Sequence, residues 1–175
     1  MNKLIFSIIA LMAVMTVQAQ SICGSWQSMK PAVIDNEDGN GMLSYVYTFN
    51  EDGTFVTDLD VTYSDKNEQK KEREFVLTGN MKGTYTLKGD KLTMYFNVNT
   101  LNLEVSRVSQ NGVQLELPAG MIPTVNEKLN NAARAKAANA FPDTHYTVKL
   151  DSKGSMLELN DTKSGKTERL MRVKK

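Results

Sequence analysis

The chain has 175 residues, 41% of them hydrophobic, and carries 21 Lys and Arg against 20 Asp and Glu for a net charge of +1 at pH 7; that is enough for one domain with a core of its own. The near balance of charge excludes the basic surplus on which nucleic-acid binding relies. A single cysteine and a single histidine exclude an internal disulfide and a histidine-rich metal site.

In chain order, Met1-Asn2-Lys3 comes first, then an apolar run from Leu4 to Val17 broken only by Ser7 and Thr16, then Val17-Gln18-Ala19. A charged start, an apolar stretch and a V-x-A site are the parts of a secretory signal, and the stretch falls short of the roughly 20 apolar residues of a spanning helix. Residues 1–19 are therefore expected to be removed, leaving 20–175 as one exported domain, periplasmic or secreted, with no membrane span. Removal takes Lys3 and leaves the two signs equal. Ile22 stands directly before Cys23, where a lipoprotein signal needs a small residue, so Cys23 reads as a small buried apolar side chain at the start of a strand.

Apolar residues then recur at every second position. Leu43, Tyr45, Tyr47 and Phe49 share one face, as do Phe55, Leu59, Val61 and Tyr63, with Asp58 and Asp60 opposite. Leu92, Met94, Phe96 and Val98 repeat the pattern, followed by Leu101, Leu103 and Val105. This alternation marks antiparallel strands with one face in a core and one in water. Short Gly-bearing turns separate them, at Asn50-Glu51-Asp52-Gly53, Lys88-Gly89-Asp90, Gln110-Asn111-Gly112, Ser152-Lys153-Gly154 and Lys163-Ser164-Gly165. The charge run from Asp65 to Glu74 alternates signs and predicts a solvated loop or hairpin tip. No proline interrupts the stretch from Ala32 to Leu117, which suits a continuous ladder.

One segment has helical spacing. Thr124 and Glu127 fit a capping box, and Val125, Leu129, Ala132 and Ala133 fall on one face of a stretch that ends before Phe141-Pro142. An amphipathic helix is expected over about 124–140, laid across the barrel or over its mouth. The fold class that follows is all-β: an antiparallel up-and-down barrel of roughly eight to ten strands with one inserted α-helix.

Certain phrases carry a resemblance. Gly24-Ser25-Trp26 resembles the G-x-W start of lipocalins, and residues 47–56 (YTFNEDGTFV), 83–96 (GTYTLKGDKLTMYF) and 165–175 (GKTERLMRVKK) are similar to the hairpins of bacterial lipocalin-like domains. The resemblance implies a lipocalin-like barrel whose tryptophan plugs the closed end, with an arginine of the last strand over its indole. Arg172 is the expected partner of Trp26, with Arg169 second. A helix ahead of the last strands departs from the family, which places it after the eighth.

If Trp26 points inward, Tyr45, Tyr47, Phe55, Leu59, Tyr85 and Phe96 point into the same lumen and are the candidate ligand contacts. An eight-stranded barrel is just wide enough to be filled by side chains or to admit one small ligand. Several tyrosines facing one lumen suggest a pocket with polar handles; the other reading is a filled core whose hydroxyls reach the barrel ends.

No catalytic, cofactor or metal motif survives inspection. His145 and Cys23 have no spacing that pairs them, Asp35 to Gly41 places glycine and asparagine out of register for a calcium loop, and Asp58 with Asp60 reads as a solvated strand face. The function expected is not enzymatic: an exported protein binding a small, mostly hydrophobic molecule in its barrel. The alternative is an envelope or secreted protein-interaction or inhibitor module with a filled barrel and an exposed apolar patch.

Overall fold

The period of two becomes ten strands in one antiparallel sheet. They are β1 (Gly24–Ser28), β2 (Ala32–Asn36), β3 (Gly39–Phe49), β4 (Thr54–Lys66), β5 (Glu72–Lys88), β6 (Lys91–Gln110), β7 (Val113–Leu115), β8 (Thr144–Leu150), β9 (Met156–Asp161) and β10 (Thr167–Arg172), with one α-helix, α1 (Ile122–Ala140), between β7 and β8. This computed structural model describes residues 21–36, 39–66, 72–140 and 143–174. The expected signal segment 1–19, the pair Glu37-Asp38, the tip of the charge run at 67–71 and Phe141-Pro142 lie outside the described residues.

Eight of the strands close a circle. β1 pairs with β10 on one side and β3 on the other, and β9, β8, β6, β5 and β4 complete the ring. Closure removes the exposed edges that a meander would otherwise leave. The other two strands are flaps: β2 continues the ladder of β3 beyond β1, and β7 folds back on the far end of β6. On either side of Glu37-Asp38, the Asp35 to Gly41 segment that fails the calcium-loop register is ladder of the first flap, with Asp35 opposite Asn40 and Asn36 opposite Gly39.

β6 unites the two alternating runs expected over 92–98 and 101–105. They read as separate because the register against β5 slips between them: Lys82 pairs with Asn97, but Asn80 pairs with Asn102. Thr100 holds the irregularity. Its hydroxyl accepts the Lys82 N–H at 2.9 Å and donates to the Asn97 carbonyl at 2.6 Å. Such an irregularity bends the strand and raises its twist; fully buried Met81 lies at it, opposite Thr57 of β4.

β6 meets β8 only through Lys91–Met94 against Thr144–Thr147. Beyond that point β3 to β6 run on past the barrel as a four-stranded extension, and α1 covers its inner face. Leu129, Ala133 and Ala137 of the helix pack with Leu59, Met81, Leu101 and Leu103. The helix starts at Ile122, two residues before the expected Thr124 cap. Pro123 then falls in the first turn, where a missing N–H costs nothing. Ala132 is exposed rather than on the apolar face.

The displacement of that face has a polar cause. Asn126, Asn130 and Arg134 follow one another at a spacing of four and satisfy the edge of β6 that β8 has left. The Asn130 side chain accepts the Leu103 N–H at 2.7 Å and donates to the Leu103 carbonyl at 2.8 Å. Asn126 accepts the Val105 N–H at 3.1 Å, and Arg134 donates to the Leu101 carbonyl at 2.9 Å. A buried strand edge must find partners for its backbone groups, and the helix supplies them in place of a strand.

Candidate functional site

One end of the barrel is built as a floor. Trp26 lies opposite Arg172 in the β1–β10 ladder and opposite Tyr47 in the β1–β3 ladder. It is fully buried. The Arg172 guanidinium carbon stands 4.3 Å from the Trp26 ring centroid. Arg172 also donates to the Cys23 carbonyl at 3.2 Å and the Gly154 carbonyl at 2.8 Å, while the indole N–H donates to the Ile22 carbonyl at 2.6 Å. Gly24 makes room for this: at its φ of +115°, a Cβ would come within 3.0 Å of the guanidinium. Arg169, one residue out of phase, turns away and pairs with Glu158 at 2.9 Å.

Aromatic rings fill the barrel above the floor. Phe55 meets Phe49 at 5.9 Å, Tyr47 at 6.2 Å and Phe96 at 5.1 Å, and Phe49 meets Tyr85 at 5.1 Å, all between centroids. Phe55 packs against Gly83, where a Cβ would sit 2.4 Å from its ring. Tyr85 points to the floor, donating to the Asn50 carbonyl at 2.7 Å with the Cys23 sulfur 3.5 Å from its oxygen. Leu59 belongs to the second cluster, under the helix. Of the six candidate contacts, Tyr45 lines the cleft described next, and Leu59 borders a smaller hollow beside Asp58, Asp60 and Gly79.

That opening is a cleft of about 760 Å³ at the opposite end, the mouth. Its outer walls are the segment Met29 to Ala32 after β1 and the turn between β9 and β10, including Ser164 and Lys166. Its inner wall is Tyr45, Tyr146 and Glu168. Strand parity explains why these three point inward. Tyr45 is in phase with buried Tyr47 and Phe49, Glu168 with buried Leu170, and Tyr146 with Val148 and Leu150, which pack on the barrel core. Thr57 lies on the same inner face, across from Tyr47, and its buried hydroxyl has no hydrogen-bond partner among the described residues.

Glu168 organises the charge of the site. The Tyr45 hydroxyl donates to its carboxylate at 2.5 Å. Burial raises the Glu168 carboxyl above the ordinary carboxylate range, and the Tyr45 hydrogen bond opposes part of that rise. Burial first, and the neighbouring carboxylate second, push the phenols of Tyr45, Tyr47 and Tyr146 upward. The three tyrosines are therefore neutral hydroxyls around one desolvated acid.

A raised carboxyl has a defined effect on stability. Its folded pKa lies above its unfolded one, so the neutral form is favoured in the fold and stability falls as pH rises through the raised value. Glu168→Gln removes the charge and keeps the shape. The variant is expected to unfold at higher urea than the wild type at pH 7, with the gap closing as pH falls below the ordinary carboxylate range. A gap that widens on acidification would show that the carboxylate form stabilises the fold.

Sequence reasoning did not find Glu168 or Tyr146. The signal was present for the first: Glu168 has the parity of Arg172 on the last strand, so placing Arg172 inside places Glu168 inside as well. The remaining candidates stay apart. His145 is exposed, with Nδ1 3.1 Å from the Thr93 hydroxyl, and Asp58 and Asp60 are exposed on the outer face of β4. Among the described residues no group of three or more His, Cys, Asp or Glu is placed to hold a metal ion, and no helix is long and apolar enough to cross a membrane.

A family model described as a lipocalin-like domain matches residues 22–117, which run from the floor through the long hairpins to the end of β7. No curated protein matches the chain.

Proposed function

Because the chain belongs to the lipocalin-like domain family, we propose that it is an exported binding protein that holds one small, mostly apolar molecule at the mouth of its barrel. The observation that carries this reading is the cleft of about 760 Å³ with Tyr45, Tyr146 and Glu168 on its inner wall. Small-molecule sites are concave, of a few hundred to about a thousand Å³, with apolar and aromatic walls and a few convergent polar groups. The packed rings below confine the ligand to the upper barrel, and its apolar part lies along the Tyr45 and Tyr146 rings.

The test is fluorescence titration with N-phenyl-1-naphthylamine, a neutral apolar probe. Saturable enhancement at one probe per chain is expected. Tyr146→Trp, which enlarges a wall of the opening, is expected to weaken uptake about tenfold or more, equivalent to about 1.4 kcal/mol of binding energy, without moving the urea midpoint. Non-saturable fluorescence in the wild type would sink the binding reading.

Export rests on the charged start, apolar run and V-x-A site of residues 1–19. The exported protein is expected to have the intact mass of a chain beginning at Gln20; a mass retaining residues 1–19, or a lipid on Cys23, would contradict it.

A second reading has its own observation. The β2–β3 flap exposes Val33 (75%) and Met42 (59%), opposite each other in its ladder. Exposed apolar side chains grouped on one flap suit a protein partner, and this interaction-module reading takes the lead if the probe does not bind.

A further inference from the structure

The chemistry of the mouth narrows the class of ligand, on the premise that the cleft is a binding site. Glu168 is a partly buried carboxylate with, among the described residues, one hydrogen bond, from Tyr45. A carboxylate has two oxygens with about four acceptor positions, so most of its capacity is unused, and it lines an open cleft. Among the described residues no Lys or Arg pairs with it: Arg169, the next residue, is engaged by Glu158, and Lys30 and Lys166 are exposed on the rim.

A buried charge without a counter-charge is costly. Folding has nevertheless placed this one at the inner end of the cleft, walled by aromatic rings. Tyr45 and Tyr47 stack at 5.1 Å with their planes tilted by 55°, and Glu168 acts electrostatically on Tyr45, Tyr47 and Tyr146 alike. Faces of tyrosine rings attract cations, most strongly where water is excluded.

We propose that the ligand carries a positively charged amine at its leading end, which seats on the Glu168 carboxylate between the Tyr45 and Tyr146 rings while an apolar body fills the cleft. An ammonium group brings both the missing charge and up to three N–H donors to the unused acceptor positions. A ligand hydroxyl brings one donor and no charge. A ligand carboxylate would meet Glu168 as a like charge. Lys30, Lys166 and Arg169 also line the cleft, but all three are exposed to water, which weakens their field, Arg169 is paired with Glu158, and Asp161 shares the rim with them.

The experiment measures displacement of N-phenyl-1-naphthylamine from the protein at pH 7 by n-octylamine, n-octanol and octanoate, three compounds that differ only at the head. Octylamine is expected to compete about tenfold or more better than octanol, the scale of one charge-assisted hydrogen bond set in a buried site, and octanoate worse than octanol. In Glu168→Gln the amine-over-alcohol ratio is expected to collapse to about twofold or less with octanol unchanged, while Tyr45→Phe keeps the ratio because ring and carboxylate remain. If the probe binds but octylamine and octanol compete equally, or octanoate competes best, the amine assignment is overturned and the binding reading stands. If the ratio survives in Glu168→Gln, the seat is elsewhere and the assignment is overturned on that ground. If neither probe nor competitor binds saturably, both readings fall together.

Discussion

Replacing Trp26 by alanine is expected to remove about 3–5 kcal/mol of stability, the loss usual for a large buried aromatic. The indole is fully buried, lies between β10 and β3 in the ring, and is covered by Arg172 at 4.3 Å. It also donates to the Ile22 carbonyl at 2.6 Å, so its loss leaves that buried carbonyl unpaired as well as opening a cavity. Arg172→Ala is expected to cost less, about 1–2 kcal/mol, from the lost cation–π contact and packing of its stem. The two changes touch each other, so the double variant should cost less than their sum. Urea unfolding of the three variants checks this. A loss below about 1 kcal/mol for Trp26→Ala would mean that the indole does not plug the barrel.

The floor was legible in the sequence because its signature is local and the lipocalin resemblance implies an arginine of the last strand as the tryptophan's partner. Gly24-Ser25-Trp26 is contiguous, and the alternation of β3, β4 and β6 can be read in each strand by itself. The mouth was less legible because its parts come from strands far apart in sequence. Tyr45, Tyr146 and Glu168 meet only once the ring is closed, and β8, with Tyr146, follows a helix that interrupts the pattern. Glu168 was hidden for a second reason. A carboxylate in an alternating strand is ordinarily assigned to water, and only the phase it shares with Leu170 and Arg172 overrides that rule.

Parity also decided how the lumen is divided. Residues chosen for sharing one face do share it, yet they lie at different depths along a tilted barrel. Tyr85 reaches the floor, Phe55 and Phe96 fill the middle, Tyr45 lines the mouth, and Leu59 lies beyond it under the helix. Depth depends on the register between strands, and register here contains the slip at Thr100, which the sequence shows only as a change of phase between 92–98 and 101–105 and not as a position in the barrel.

The helix holds the strand edge through one side chain above the others, and Asn130→Leu is expected to cost about 3 kcal/mol. Asn130 is buried, at 6% exposure. Its amide pairs with both backbone groups of Leu103, at 2.7 and 2.8 Å, and donates to the Asn126 carbonyl of its own helix at 2.8 Å. Leucine preserves volume and leaves the Leu103 N–H and C=O without partners, and each unsatisfied buried group costs about 1–3 kcal/mol. Asn126→Ala, which frees only the Val105 N–H, should cost about 1 kcal/mol. Hydrogen exchange separates this from a packing effect. In Asn130→Leu the Leu103 and Val105 amides should exchange faster, because the edge opens locally, while Trp26 and its neighbours across the floor keep their protection once global stability is allowed for. If urea stability moves by less than about 0.5 kcal/mol and Leu103 exchange is unchanged, the apolar stripe of Leu129, Ala133 and Ala137 alone docks the helix.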